Sequence, residues 1–157
     1  MESTDNENFN AGNSARLSTE IIQNLIDNYR SNQLTFINEK LGIDDAHSIW
    51  FDLVTLKKFI AEIEEAAQNL DSPISEEDLG VRFYYAAYPE IPQEPIPENF
   101  SKKHTLVMVP TKKEQNQNYD FNPFESEENA LAITGRMAMA QNHGDLVPPG
   151  STNVESY

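Results

Sequence analysis

The chain has 157 residues, enough for one domain, and its 26 acidic and 11 basic residues give a formal net charge of −15. This charge disfavours non-specific binding to nucleic acid and to anionic membranes. The absence of cysteine excludes disulfide and thiol chemistry. The acidic, polar start does not resemble a signal peptide, and no apolar run approaches the roughly 18 residues of a membrane span, so we expect a cytoplasmic protein.

The chain begins with a polar segment and continues with a helix. Residues 1–15 are rich in Asn, Ser and Glu, which predicts a disordered head. The Ser-Thr pair at 18–19 supplies a helix cap, and the helical repeat slips at 31–32, which predicts a kink or break. Gly42 is a favoured helix-ending residue. The apolar face of this helix consists of Leu17, Ile21, Ile22, Leu25, Ile26 and Tyr29.

Residues 48–67 are typical of a strand that leads directly into an amphipathic helix. Ile49 and Phe51 point to one side of the strand and Trp50 to the other, so we expect a central strand and a buried Trp50. Asp52 offers a side-chain oxygen to the free N–H groups of the helix start. An apolar stripe follows at helical spacing: Leu53, Leu56, Phe59, Ile60, Ile63 and Ala67.

Two further strands are predicted at 81–88 and 104–109, the second closed by Pro110. They should pair antiparallel, whereas the Trp50 strand, if it is a neighbour of the strand at 81–88, should lie parallel to it. The predicted fold class is therefore α+β: a small mixed sheet of about three strands with two main helices packed on it. This core domain spans residues 16–111.

The C-terminal segment, residues 112–157, is predicted to be partly irregular. Residues 112–122 are polar, and the high Ala and Met content of 127–140 predicts a helix there. Gly135 weakens that helix by about 1 kcal/mol relative to alanine.

Two pairs of residues have a spacing that metal ligands often use. Asp45 and His47 are two positions apart, as are His143 and Asp145, so each pair lies on one side of an extended segment. If the C-terminal tail folds back over the Trp50 strand, the four side chains would suit divalent zinc, manganese or iron. The alternative is that all four are ordinary loop residues. No other cofactor is expected.

A second candidate is a ligand-binding cluster on the less apolar sheet face, formed by Arg82, Tyr84 and His104. Arginine with neighbouring tyrosine hydroxyls can hold a carboxylate or a phosphate. The alternative is that Arg82 pairs with one of the many acidic side chains.

Three segments resemble a family of small uncharacterised bacterial proteins: DAHSIWFDLVTLKKFI, RFYYAAYP, and HTLVMVPTKK followed by a late NHG and PPG. The resemblance covers most of residues 45–150. It implies a bacterial cytoplasmic protein and assigns no activity or functional residue.

The sequence contains neither a Gly-Xaa-Ser-Xaa-Gly elbow nor a glycine-rich phosphate loop. We therefore favour a non-enzymatic protein-interaction module whose partner is another protein with a basic surface, and we leave its oligomeric state open. One alternative is a structural subunit of a larger assembly. The other is a small ligand- or metal-binding enzyme that uses Asp45, His47, Arg82, His143 and Asp145.

Overall fold

The computed structural model describes residues 16–70, 72–123, 139–142 and 144–157. Its helices and strands confirm the α+β class. The helices are α1 (Thr19–Tyr29), α2 (Thr35–Leu41) and α3 (Leu53–Gln68). The strands are β1 (Ser48–Trp50), β2 (Leu79–Ala87), β3 (His104–Glu114), β4 (Gln117–Asp120) and β5 (Asp145–Val147). The predicted head at 1–15 and residues 127–138 of the predicted helix lie outside the described residues, and Met139 and Ala140 are not helical.

A π-helical turn, Arg30–Leu34, joins α1 to α2 at the predicted break. The wider turn shifts the helical phase, which accounts for the slip in the apolar pattern. Thr35 Oγ1 donates a hydrogen bond to the carbonyl of Arg30 at 2.8 Å and so satisfies an oxygen at the turn. After α2 the chain reverses at Gly42, whose φ of 64° lies in the left-handed region that glycine adopts freely.

Strands β2, β3 and β4 form an antiparallel sheet in that order. β3 continues through Pro110 to Glu114, so the predicted strand end at Pro110 is wrong. Proline is tolerated there because Pro110 stands opposite Val81 at a position whose backbone faces away from β2. The prediction of an irregular 112–122 is also wrong, since Gln115 and Asn116 adopt φ of 48° and 64° and close a two-residue hairpin turn.

β1 belongs to a separate two-stranded sheet, in which it pairs antiparallel with β5. The predicted mixed sheet, with β1 parallel to β2, is therefore wrong. Ile49 packs against the cluster that contains buried Leu146, whereas Trp50 is 59% exposed. The expectation of a buried Trp50 is wrong because β1 is not a central strand.

Two apolar clusters hold the elements together. In the first, Phe59 and Ile63 of α3 pack against Met108 of β3, which places α3 on the three-stranded sheet. In the second, Leu146 of β5 packs against Ala46 and Tyr88. The start of α3 is fixed by the predicted cap, since Asp52 Oδ1 accepts a hydrogen bond from the Thr55 N–H at 2.8 Å.

Candidate functional site

Asp45 is the most completely buried acidic residue of the described chain, with 1% of its surface exposed. Its Oδ2 lies 2.7 Å from His104 Nδ1. Its Oδ1 accepts hydrogen bonds from the backbone N–H of His104 at 2.7 Å and of Ala46 at 2.9 Å. The Asp45 N–H in turn donates to Asn38 Oδ1 at 2.8 Å. The carboxylate therefore ties the loop after α2 to the first residue of β3.

Burial opposes ionisation of Asp45, but the hydrogen bonds from His104 outweigh it and hold the pKa of the carboxyl below its ordinary value. An ionised Asp45 accepts the Nδ1 proton of His104, so Nε2 is left as the ring nitrogen without a carboxylate partner. Tyr29 packs its ring edge-on against His104, with the ring centroids 5.9 Å apart. Burial, followed by the nearby charge of Asp45, raises the pKa of Tyr29.

A second histidine lies beside another carboxylate, at a longer distance. His47 Nδ1 lies 3.5 Å from Glu155 Oε1, and Arg30 Nη2 lies 3.0 Å from the other oxygen of that carboxylate. Arg30 Nη1 also donates to the backbone oxygen of Tyr157 at 2.7 Å. These contacts fold the C-terminal residues onto the π-helical turn.

Both histidines line one pocket of about 560 Å³ between the α1–α2 helix, β1 and the three-stranded sheet. The other polar groups of its wall come from Tyr29, Gln33, Ser48 and Tyr85. A cavity of this size, mostly apolar with a few convergent polar groups, has the usual character of a small-molecule site.

The predicted ligand cluster is divided by the sheet. Arg82 and Tyr84 both bond the carboxylate of Asp120 on β4, as in the alternative in which Arg82 pairs with an acidic side chain. His104 stands opposite Ala87, and residues that face each other across an antiparallel pair share a sheet face. Since Ala87 is odd-numbered and Arg82 and Tyr84 are even-numbered on β2, His104 lies on the other face, and the predicted grouping is wrong.

The tail does fold back over β1, with Asp145 opposite Trp50. The three predicted metal ligands that the structure describes, Asp45, His47 and Asp145, do not form a cluster there. Both oxygens of Asp45 bind His104, and His47 pairs with Glu155. His143 lies outside the described residues. Within the described ranges no group of three or more His, Asp or Glu side chains is placed to hold a metal ion.

The outer edge of β2 is a further candidate surface. The Tyr88 N–H donates a hydrogen bond to the Lys103 carbonyl at 2.9 Å. In an antiparallel pair every second residue bonds the neighbouring strand, so the backbone groups of Arg82 and Tyr84 point towards β3 and those of Phe83 point away from it. Met108, opposite Phe83, accordingly exchanges hydrogen bonds of 2.9 and 3.0 Å with Gln141 on the far side of β3. Among the described residues, none outside β3 bonds the backbone of β2 along its length.

Comparison with known proteins identifies no relative: no protein-family model, curated protein or solved structure matches the chain. Among the described helices, none combines the length and the apolar character that crossing a bilayer requires.

Proposed function

We propose that this chain is a non-enzymatic protein-interaction module that binds an extended segment of a partner protein along the free edge of β2. The observation that carries the proposal is the row of outward-facing N–H and C=O groups at Val81, Phe83 and Tyr85. A free strand edge is a template for another strand, and strand addition is a recurring mode of peptide recognition.

The side chains along this edge favour an apolar partner segment. Phe83 and Tyr85 lie on the same sheet face, two residues apart, and are 54% and 93% exposed. A segment with apolar residues at alternate positions would cover both rings. Fully burying such a side chain contributes roughly 1.5–3 kcal/mol before the cost of ordering the segment is subtracted.

The charges near the edge favour a basic partner. Glu76, Glu77 and Asp78 are exposed and immediately precede β2, and the whole chain carries −15. Lysine or arginine at the ends of the added segment would be attracted to this surface, and the attraction would speed association at low salt. A second copy would bring the same acidic residues into the assembly, so a basic partner fits the edge better.

The test uses a synthetic peptide of alternating valine and threonine with two lysines at each end, and measures binding by calorimetry. Phe83→Pro removes an outward N–H that the native sheet does not use, so the variant should fold and lose the peptide. Phe83→Leu keeps the N–H and an apolar side chain and should retain binding. Binding to the unchanged chain should weaken as salt rises.

Equal binding of the peptide by Phe83→Pro and Phe83→Leu would show that the edge is not the binding surface. Light scattering of the chain alone provides the second readout. Concentration-dependent self-association that Phe83→Pro abolishes would assign the edge to a second copy, in agreement with the alternative of a structural subunit. The resemblance of the sequence segments supports a bacterial setting, and the absence of cysteine also supports a cytoplasmic one.

A small ligand- or metal-binding enzyme remains the second candidate function. The specific observation that favours it is the pocket lined by two histidines, each paired with a carboxylate through Nδ1. Catalysis would need a reacting group within reach of a free imidazole nitrogen. Ser48 of β1 supplies a hydroxyl to the pocket wall that would be a candidate for this group.

A further inference from the structure

The wall of the pocket between the α1–α2 helix and the sheet contains hydrogen-bond acceptors and no Asp, Glu, Lys or Arg side chain. Its polar residues are Tyr29, Gln33, His47, Ser48, Tyr85 and His104. The hydroxyls, the amide oxygen and the unpaired nitrogen of an uncharged imidazole can each accept a hydrogen bond. Since Nδ1 of His104 is bound to Asp45, Nε2 is the nitrogen left for a ligand.

The charges immediately behind this wall are mostly negative. Asp45 lies behind His104, and Glu155 lies behind His47. Among the described residues, Arg30 is the one Arg or Lys side chain that contacts either carboxylate, and it is bound to Glu155. The uncompensated charge next to the pocket is therefore that of Asp45, within a chain whose net charge is −15.

The rest of the wall is apolar or aromatic. Ile37, Ile49 and Leu106 supply aliphatic surface, and the rings of Tyr29 and Tyr85 stand at the same pocket. Tyr85 is exposed apart from this contact, so its ring is free to cover a ligand. Aromatic faces attract cations through their quadrupole, and the attraction is stronger where water is excluded.

We propose that this pocket binds a small organic cation, namely a protonated amine carried on an apolar body. The ammonium group donates hydrogen bonds to His104 Nε2 and to the neighbouring oxygen acceptors, in the negative field of Asp45. The apolar body lies against Ile37 and Leu106, and the ring of Tyr85 covers the cation. The site shares Tyr85 with the edge of β2, but Ile37, His104 and Leu106 do not belong to that edge. Phe83→Pro therefore tests the edge, and Leu106→Trp tests the pocket.

The experiment uses three probes of nearly the same shape and different charge: 2-phenylethylamine, 2-phenylethanol and 3-phenylpropionate. Calorimetry at about pH 8 should detect binding of the amine, weaker binding of the alcohol and no binding of the carboxylate. Binding of the carboxylate in preference to the amine would overturn the proposal. Equal binding of all three would also overturn it, because the pocket would then be selecting shape alone.

Two substitutions at one exposed position test the contact with the ring. Tyr85→Phe retains the aromatic face and should bind the amine as the unchanged chain does, whereas Tyr85→Ser should weaken binding by about fivefold. Phe83→Ser is the matched control, since Phe83 lies on the same strand and face but does not line the pocket. A loss in Phe83→Ser equal to that in Tyr85→Ser would place the amine on the strand edge instead.

A third substitution tests the interior of the pocket. Leu106→Trp fills the cavity from β3 and should abolish amine binding while the melting temperature reports that the chain folds. Amine binding by Leu106→Trp equal to that of the unchanged chain would contradict the proposal.

Discussion

Asp45 is an acidic side chain buried at the junction of a loop and a strand, and its ionised form is the one that the fold uses. Three hydrogen bonds from Ala46 and His104 end on its oxygens. An asparagine at this position would replace one carboxylate oxygen by an NH₂ group, which donates hydrogen bonds. This group would meet donors of Ala46 and His104 that need an acceptor. Leaving a buried donor unsatisfied costs about 1–3 kcal/mol.

The first prediction is therefore a pH-dependent difference in stability between the unchanged chain and Asp45→Asn. The pKa of Asp45 is lower in the folded state than its ordinary value of 3.8, so its stabilising contribution is complete above that value. The contribution is lost as the pH falls through the lower, folded-state pKa. Urea unfolding should show a difference of about 1–3 kcal/mol near pH 7 that shrinks below about pH 4.

The control for this experiment is Asp44→Asn. Asp44 is the exposed neighbour of Asp45, and only its backbone oxygen is bound, by Lys103. Its substitution should change the free energy of unfolding by no more than about 0.5 kcal/mol at any pH. A difference for Asp45→Asn that stays constant into acid would show that the charge of Asp45 does not contribute.

The second prediction concerns Trp50, the single tryptophan of the chain. Because its side chain is largely exposed, its native fluorescence should be red-shifted and readily quenched by acrylamide. Trp50→Ala should change the free energy of unfolding by about 0.5 kcal/mol, as for other surface positions. Leu146→Ala, which removes a buried side chain of the facing strand, should cost about 2–5 kcal/mol. A blue-shifted, shielded tryptophan would contradict the observed packing of β1.

Candidate residues could be found in the sequence, but their partners could not. Asp45 and His47 stand out because of their type and spacing. His104 binds Asp45 only because the loop after α2 meets the start of β3, 59 positions along the chain. Similarly, an acidic partner for Arg82 is one of the two alternatives that the sequence allows, but Asp120 is identified only by the register of β3 and β4. A one-residue change of register moves every side chain to the other face.

At the scale of elements, the attachment of β5 to β1 depends on a glycine. A Cβ on Gly144 would come within 2.7 Å of Phe51 Cζ and closer still to Ile49 Cγ2. Both neighbours are side chains of the β1 region that face the tail. Gly144 therefore permits the tail to approach β1 closely enough to pair.

The third prediction is that Gly144→Ala destabilises the chain by about 1–3 kcal/mol through overpacking. In hydrogen exchange, protection should be lost first at the backbone amides of β1 and β5, because the clash separates these two strands. Asp145→Ala, at the exposed position next in sequence, is the control and should leave exchange at β1 unchanged. Uniform destabilisation without faster exchange at β1 would contradict the local mechanism.

Elements that depend on local sequence were predictable, as was the antiparallel pairing of the consecutive strands β2 and β3, whereas the pairing of β1 with the distant tail was not. The caps at Ser18 and Asp52 and the stop at Gly42 each involve residues a few positions apart. The β1–β5 pairing depends on packing of the distant tail, which no periodicity records. The hairpin at Gln115 and Asn116 was missed because it lacks the glycine that usually marks such a turn.

At the scale of the whole molecule, charge repulsion should reduce stability at low salt. The 26 acidic residues outnumber the 11 basic ones, and a net charge far from zero destabilises the compact state. α3 has no basic residue in its last turn, where the helix dipole favours one, and it carries exposed Glu65 near that end.

The fourth prediction is that the melting temperature rises when sodium chloride is increased from about 10 to about 150 mM, because the screening length falls from about 30 to about 8 Å. Glu65→Gln should raise the melting temperature at low salt and have less effect at high salt. If added salt lowers the melting temperature, the ion pairs, such as that of Arg30 with Glu155, outweigh the repulsion.

The pairing of β1 with β5 also sets an order of events during synthesis. Ser48 leaves the ribosome roughly 100 residues before Val147, with which it pairs. At about 5–20 residues per second, this interval lasts roughly 5–20 s. During that time α3 can form directly after β1, but β1 has no strand with which to pair. Leu146 is also not yet available to cover Ala46 and Tyr88. The nascent chain therefore exposes this apolar surface until the tail emerges, which makes a chaperone contact most useful late in translation.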